Sequence, residues 1–142
     1  MRLAEIDNII GIKEASGNLS QIMEIILNRP HDFLVLSGDD AITLPILALG
    51  GDGVISVIAN ETPDLFKKMI TYAFNGNWDE ARNIHYQLLP LMEANFIESN
   101  PIPVKTVMAM MGLVEENFRL PLVQMSDVNK ERLRTVLKSL NL

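Results

Sequence analysis

Apolar residues follow two rhythms along this chain. Three short runs are continuously apolar and rich in β-branched residues: Ile9–Lys13, Phe33–Ser37 and Val54–Ile58. Elsewhere apolar positions recur three and four residues apart. The first rhythm predicts strands buried on both faces, the second amphipathic helices. Met1–Asn8 reads as a helix end and a turn, with Leu3 and Ile6 three apart. After the first strand, Asn18 is placed to cap a helix running to Asn28, which Arg29-Pro30 stops. A second helix, Ala41–Leu49, carries Pro45 in its first turns and stops at Gly50-Gly51. The order so far is β-α-β-α-β, the signature of a parallel sheet covered by helices.

Four helices then follow with no further strand. Thr62 should cap the first, with Pro63 in its first turn and Gly76 at its end. Asn77 should cap the second, from Trp78 to about Phe96, and Pro90 should kink it. Asn100-Pro101-Ile102-Pro103 opens the third, which Gly112 ends. Ser126 should cap the last, whose stripe is Leu133, Val136, Leu137 and Leu140. Residues 1–76 are therefore read as an α/β unit and 77–142 as a helical extension.

Composition narrows the function. The chain has 142 residues, 48% of them hydrophobic, which is enough for one core. A net charge of −6 argues against nucleic acid and against anionic membrane surfaces. There are no cysteines, so no disulfide and no thiolate metal site, which fits a cytoplasmic protein. The two histidines, His31 and His85, are far apart and unrelated in context, so no metal site is expected on them. The eight methionines sit mostly at helical core positions and read as packing.

In parallel α/β architectures ligands gather at the carboxyl ends of the strands. Here those ends are Lys13-Glu14, Gly38-Asp39-Asp40 and Ser56–Asn60. Lysine is rarely buried unless paired. Two readings fit Lys13: a stem that packs while its amine reaches water at the rim, or an amine partly dried by its surroundings and able to attack a carbonyl. Asp39-Asp40 could be a metal pair, but no further ligand has matching spacing, and an N-cap explains it better. Gly50-Gly51-Asp52-Gly53 resembles a phosphate loop only in composition. It follows a helix and precedes a strand, which puts it on the opposite, structural end of the sheet.

Four segments in register decide more than any one of them: Gly11-Ile12-Lys13-Glu14-Ala15-Ser16-Gly17-Asn18, Leu36-Ser37-Gly38-Asp39-Asp40, Gly50-Gly51-Asp52-Gly53-Val54-Ile55-Ser56-Val57 and Asn100-Pro101-Ile102-Pro103-Val104-Lys105. With these the chain resembles the C-terminal half of the dihydrodipicolinate synthase family, within the class I pyruvate-dependent aldolases. The resemblance implies the C-terminal part of a (β/α)8 TIM barrel, with strands matching the sixth to eighth, plus a helical extension. It implies a lyase that condenses pyruvate with aspartate semialdehyde in lysine and diaminopimelate biosynthesis, without metal or organic cofactor. Lys13 matches the Schiff-base lysine, Ile55 a residue near pyruvate, Gly38 and Asp39 the rim beside the second substrate, and Asn100 a loop residue bordering the site. Two other readings stay open: a sister sugar-acid aldolase such as N-acetylneuraminate lyase, and a non-catalytic half-barrel that serves interaction or structure.

Such a barrel needs roughly 250 residues and eight strands. The family's Thr-Thr motif, its proton-relay tyrosine and its carboxylate-binding arginine belong to the other half, and Tyr72, Tyr86 and Arg119 do not stand in matching segments. An isolated chain is therefore expected to be inactive or nearly so. Its open strand edges, and the inward faces expected of Ile9, Ile10, Phe33, Val35, Val54 and Val57, call for a homo-oligomer or a companion chain carrying the missing half.

Overall fold

The computed structural model of the chain describes residues 2–142. Its sheet has three parallel strands in sequence order: β1 (Gly11–Glu14), β2 (Leu34–Ser37) and β3 (Gly53–Val54). β1 pairs with β2 with Lys13 beside Leu36, and β2 pairs with β3 with Leu36 beside Gly53. Two helices join the strands, α1 (Leu19–Asn28) and α2 (Asp40–Ala48). Four more follow: α3 (Pro63–Phe74), α4 (Trp78–Ala94), α5 (Ile102–Met110) and α6 (Asp127–Leu140). A 3₁₀ turn over Arg2–Glu5 precedes the sheet, and Met1 lies outside the described residues. No helix among the described residues is long and apolar enough to cross a membrane.

Local chemistry explains most boundaries. The Asn18 side chain accepts from the Ser20 and Gln21 amides and starts α1 as expected. Asp39 starts α2 the same way, accepting from the Ala41 amide at 3.0 Å. Pro45 and Pro90 lie inside continuous helices, so each removes one ladder bond without ending its helix. Thr62, Asn77 and Ser126 stand at the N-cap positions but make no capping bond with their side chains. The Thr62 hydroxyl turns back to the Ile58 carbonyl instead, and Ser126 donates to Glu98, which also receives the Asn129 side chain.

The third strand is shorter than its composition predicts. It ends at Val54, and Ile58–Asn60 forms a 3₁₀ turn. The reason is a buried carboxylate: Asp40 Oδ2 accepts from the amides of Val57 and Ile58, each at 2.9 Å. Those donors are drawn away from a ladder, and Ile58 enters the helical core, wholly buried. β-branched composition marks residues that pack well and does not decide which surface they pack on.

One apolar core runs through α2, α3, α4, α5 and α6 and includes Leu44, Phe66, Met69, Leu88, Leu91, Val107 and Leu133. The sheet meets its helices on one face only. Val35 is fully buried, Ile12 shares a hollow with Ile25 of α1, and Glu14 accepts from Gln21 of α1. Phe33 and Val35 therefore belong to the helix side, contrary to the inward set expected from the sequence. A period of two forces this: if Val35 faces the helices, Leu34 and Leu36 face away. Leu34 is 39% exposed although it lies in the central strand.

The opposite end of the sheet is held by one ion pair. Arg29, just past α1, donates to the carbonyls of Phe33 and Gly50 and to the Asp52 carboxylate. Asp52 also accepts from the Val35 amide at 2.7 Å. The Gly50–Gly53 segment is thus a helix end plus a clamp on the strand starts. A Cβ at Gly51 would lie 2.6 Å from the Ile46 side chain, which is why the turn is so small. Burial raises the Asp52 pKa, but the Arg29 hydrogen bond, the Val35 amide and the Arg29 charge outweigh it and hold the group below 3.8. Its contribution to stability is complete above that unfolded-state value and is lost as pH falls through the lower folded value. Both side chains are less than a third exposed. Asp52→Ala should therefore cost about 2–3 kcal/mol in urea denaturation at pH 7. The difference from the parent should shrink below pH 4.

Candidate functional site

The rim formed by the three strand ends is one continuous backbone surface. The pairing runs past the strands: the Gly38 amide donates to the Glu14 carbonyl at 2.7 Å, and the Ile55 amide to the Ser37 carbonyl at 2.8 Å. Lys13, Gly38 and Ile55 are thereby brought together by the backbone alone. Lys13 sits one residue before the end of β1, in the same row as Leu36 and Gly53. Its neighbour Glu14 takes the opposite face and is buried, accepting from the Ser16 amide and the Gln21 side chain. Alternation therefore turns Lys13 away from the helices, to the face shared with Leu36 and Ile55.

Gly38 makes room for that lysine. A Cβ at position 38 would lie 2.5 Å from Lys13 Cε and 2.8 Å from the Ala15 Cβ. The lysine stem lies along the bare backbone of Gly38 and extends past it. Lys13 itself is exposed, and Ile55 is 51% exposed. The partly dry pocket expected around Lys13 is thus not enclosed by these three strands; further walls would have to close over the same face.

Asp39 sits at the rim, half-buried, with its carboxylate engaged as the cap of α2. Asn100 is exposed on the loop that leads into α5. The tie between this loop and the rim is indirect: α5 packs against the 3₁₀ turn that follows β3. Among the described residues no group of three or more His, Cys, Asp or Glu side chains is arranged to hold a metal ion.

Sequence reading missed the polar layer behind the rim. The Ser37 hydroxyl bonds to the Asp39 carbonyl and accepts from Thr43 of α2 at 2.9 Å, tying the end of β2 to its helix. Asp40, 2% exposed, grips the two amides after β3. Behind it lies Glu61, 3% exposed, which accepts from the Asn95 side chain at 2.8 Å. Burial pushes the Glu61 pKa up to about 8; the Asn95 bond pulls it down, and the Asp40 charge pushes it up again. The only sequence signal for this layer was acidic residues inside otherwise apolar stretches.

Comparison with known proteins bears on what this rim is. Residues 1–140 match the dihydrodipicolinate synthetase family. The 4-hydroxy-tetrahydrodipicolinate synthase of Archaeoglobus fulgidus is 57% identical over 141 residues, which are 99% of this chain and 49% of that protein. That of Koribacter versatilis is 54% identical over 136 residues, 96% of this chain and 45% of the relative. Among solved structures, dihydrodipicolinate synthase from Aquifex aeolicus superposes with a TM-score of 0.94 at 49% identity, covering 98% of this chain and 47% of that one. The chain spans about half the length of the curated relatives it matches. Its three parallel strands and their helices are the C-terminal part of a (β/α)8 barrel with its helical extension. The chain belongs to the dihydrodipicolinate synthetase family.

Proposed function

We propose that this chain carries the imine-forming half of a 4-hydroxy-tetrahydrodipicolinate synthase, a cytoplasmic lyase of lysine biosynthesis that joins pyruvate to aspartate semialdehyde. The observation that carries the reading is Lys13, at the carboxyl end of β1 on the face turned away from the helices, with Gly38 left bare beside its stem. In this reading Lys13 Nζ attacks the carbonyl carbon of pyruvate and water leaves. The cationic imine nitrogen then draws electrons from the neighbouring carbon, which loses a proton to give an enamine. That carbon attacks the semialdehyde. Ile55 packs against pyruvate, Gly38 and Asp39 border the second substrate, and Asn100 borders the mouth from the α5 loop. No cofactor is needed, because the protonated imine itself is the electron sink. Residues 1–76 serve as the barrel part and 77–142 as the extension that brings the Asn100 loop to it.

Imine formation needs an amine and access; carbon–carbon bond formation also needs a proton relay and clamps for two carboxylates. The latter groups are expected on a companion chain or segment carrying the N-terminal half. Borohydride reduction of the purified chain with pyruvate, read by peptide mass spectrometry, should label Lys13. Gly38→Ala should slow that labelling by about 10-fold to 10²-fold, since a small displacement of the reacting atom is costly. Label on Lys67, Lys68 or Lys105 and none on Lys13 would refute the assignment.

A coupled assay of the purified chain alone should show no synthase turnover. Turnover near that of a full-length enzyme would contradict the division of labour. Light scattering should find the chain in dimers or larger assemblies, or bound to the companion half, at micromolar concentration. The uncovered face with Leu34 and Ile55, respectively 39% and 51% exposed, and two open strand edges drive this association. A monomer with slowly exchanging amides along both edges would count against it.

A further inference from the structure

Three buried side-chain oxygens behind the rim have no hydrogen-bond donor among the described residues: Asp40 Oδ1, Glu61 Oε1 and Asn95 Oδ1. All three are acceptors as they stand, and the donors nearest in the chain are already used. The Glu61 and Thr62 amides both donate to the Ile58 carbonyl, the Thr62 hydroxyl donates to the same oxygen, and the Asn95 amide donates to Leu91. Buried acceptors are almost always satisfied, so the cluster is short of a donor. The hollow beside Glu61 offers none. It is lined by Thr62, Asp64, Leu65, Leu88 and Leu140 among others, with no lysine, arginine or histidine. The charge acting on Glu61 is acidic, Asp40 of α2; Asn95, just past the end of α4, is neutral, and the hollow adds only exposed Asp64 at the start of α3 and apolar residues such as Leu140 of α6.

We infer that Glu61 holds a proton in the folded chain at neutral pH and donates it to one of the other two open oxygens, acting as a positioning residue that leaves Asp40 as the single carboxylate gripping the Val57 and Ile58 amides. Two ionised carboxylates could not share this buried site without one being pushed out. A protonated Glu61 removes that conflict, and its hydroxyl can serve an acceptor that Asn95 or Asp40 leaves open. The raised pKa of Glu61 agrees with the geometry. What the proton secures is the path of the chain just after Ile55. The inference depends on the preceding reading only in counting that turn as part of the substrate site. The proton itself is measured without substrate, so either idea can fail while the other stands.

The sign of the pH dependence follows from a folded-state pKa above the unfolded one. The folded chain keeps a proton that the unfolded chain releases above 4.5, so stability falls as pH rises from there to about 8 and then levels off. Glu61→Gln mimics the protonated acid, including its donor, without titrating. Across that window the folding constant of the parent should fall relative to Glu61→Gln, by up to tenfold per pH unit. Carboxyl ¹³C NMR of the glutamate-labelled parent chain, assigned through its own backbone, should find Glu61 protonated at pH 7. Hydrogen exchange should find the Val57 and Ile58 amides as protected in Glu61→Gln as in the parent, and at least tenfold less protected in Asp40→Asn. A Glu61 that titrates with the exposed glutamates, its carboxylate satisfied by water or a cation, would overturn the inference. So would parallel pH–stability curves for the parent and Glu61→Gln. Should Glu61→Gln fail to fold, the NMR titration of the parent decides alone.

Discussion

A parallel sheet has to be covered on both faces, and this one is covered on a single face. Everything distinctive about the chain follows from that constraint. On the helix side, alternate residues Val35 and Ser37 enter a packed core or bond into it, and Glu14 is tied to α1. On the other side stand Lys13, Leu34, Leu36 and Ile55, with nothing among the described residues to close over them. The same parity that exposes apolar Leu34 is what frees the Lys13 amine. In a closed barrel that face would be lined by the remaining strands, and what is an open apolar surface here would become the wall of a mouth.

The two ends of the sheet are held by different chemistry. At the strand starts, Arg29 and Asp52 form a charged clamp across Phe33, Gly50 and Val35, where nothing needs to move or react. At the strand exits the positioning groups are carboxylates and hydroxyls that bind backbone: Asp39 on the Ala41 amide, Asp40 on the Val57 and Ile58 amides, Ser37 and Thr43 on the Asp39 carbonyl. Backbone-directed bonds fix the course of a rim loop while leaving its exposed side chains uncommitted. The Gly38 position follows the same logic, since its missing Cβ is what allows a long side chain to lie flat on the rim.

Much of this was legible in the sequence because it depends on local rules. Asn18 and Asp39 cap their helices through bonds to amides two or three residues away, which spacing alone reveals. The order of strand, helix and glycine turn placed the Gly50–Gly53 segment at the clamped end and Lys13 at the rim. The failures have a common cause in longer-range partners. Val54–Ile58 reads as a strand until Asp40, seventeen residues earlier, claims its amides. Ser126 looks like a cap until Glu98, twenty-eight residues earlier, takes its hydroxyl. Glu61 and Asn95 meet across thirty-four residues, and no periodicity marks either. Phe33 and Val35 went to the wrong face because a continuous apolar run conceals its own parity; Asp52, bonded to the Val35 amide, and the α1 contacts resolve it.

In the proposed reading, the division between this chain and a companion half follows the steps of the chemistry. An imine requires one amine and an approach to it, and both are properties of a single strand end with a glycine beside it. The later steps require groups disposed around the substrate on several sides, which only a closed ring of strands can supply. In that reading this chain supplies the amine and a companion half supplies the enclosure. The open face bears on Lys13 too, since an amine open to water lacks the desolvation that a closed mouth provides. Closing the sheet would thus restore two things at once: it would cover Leu34 and Ile55, removing the drive to associate, and it would dry the amine that they flank. In the proposed reading stability and reactivity are linked through one uncovered face, so a partner that satisfies the first would also complete the second.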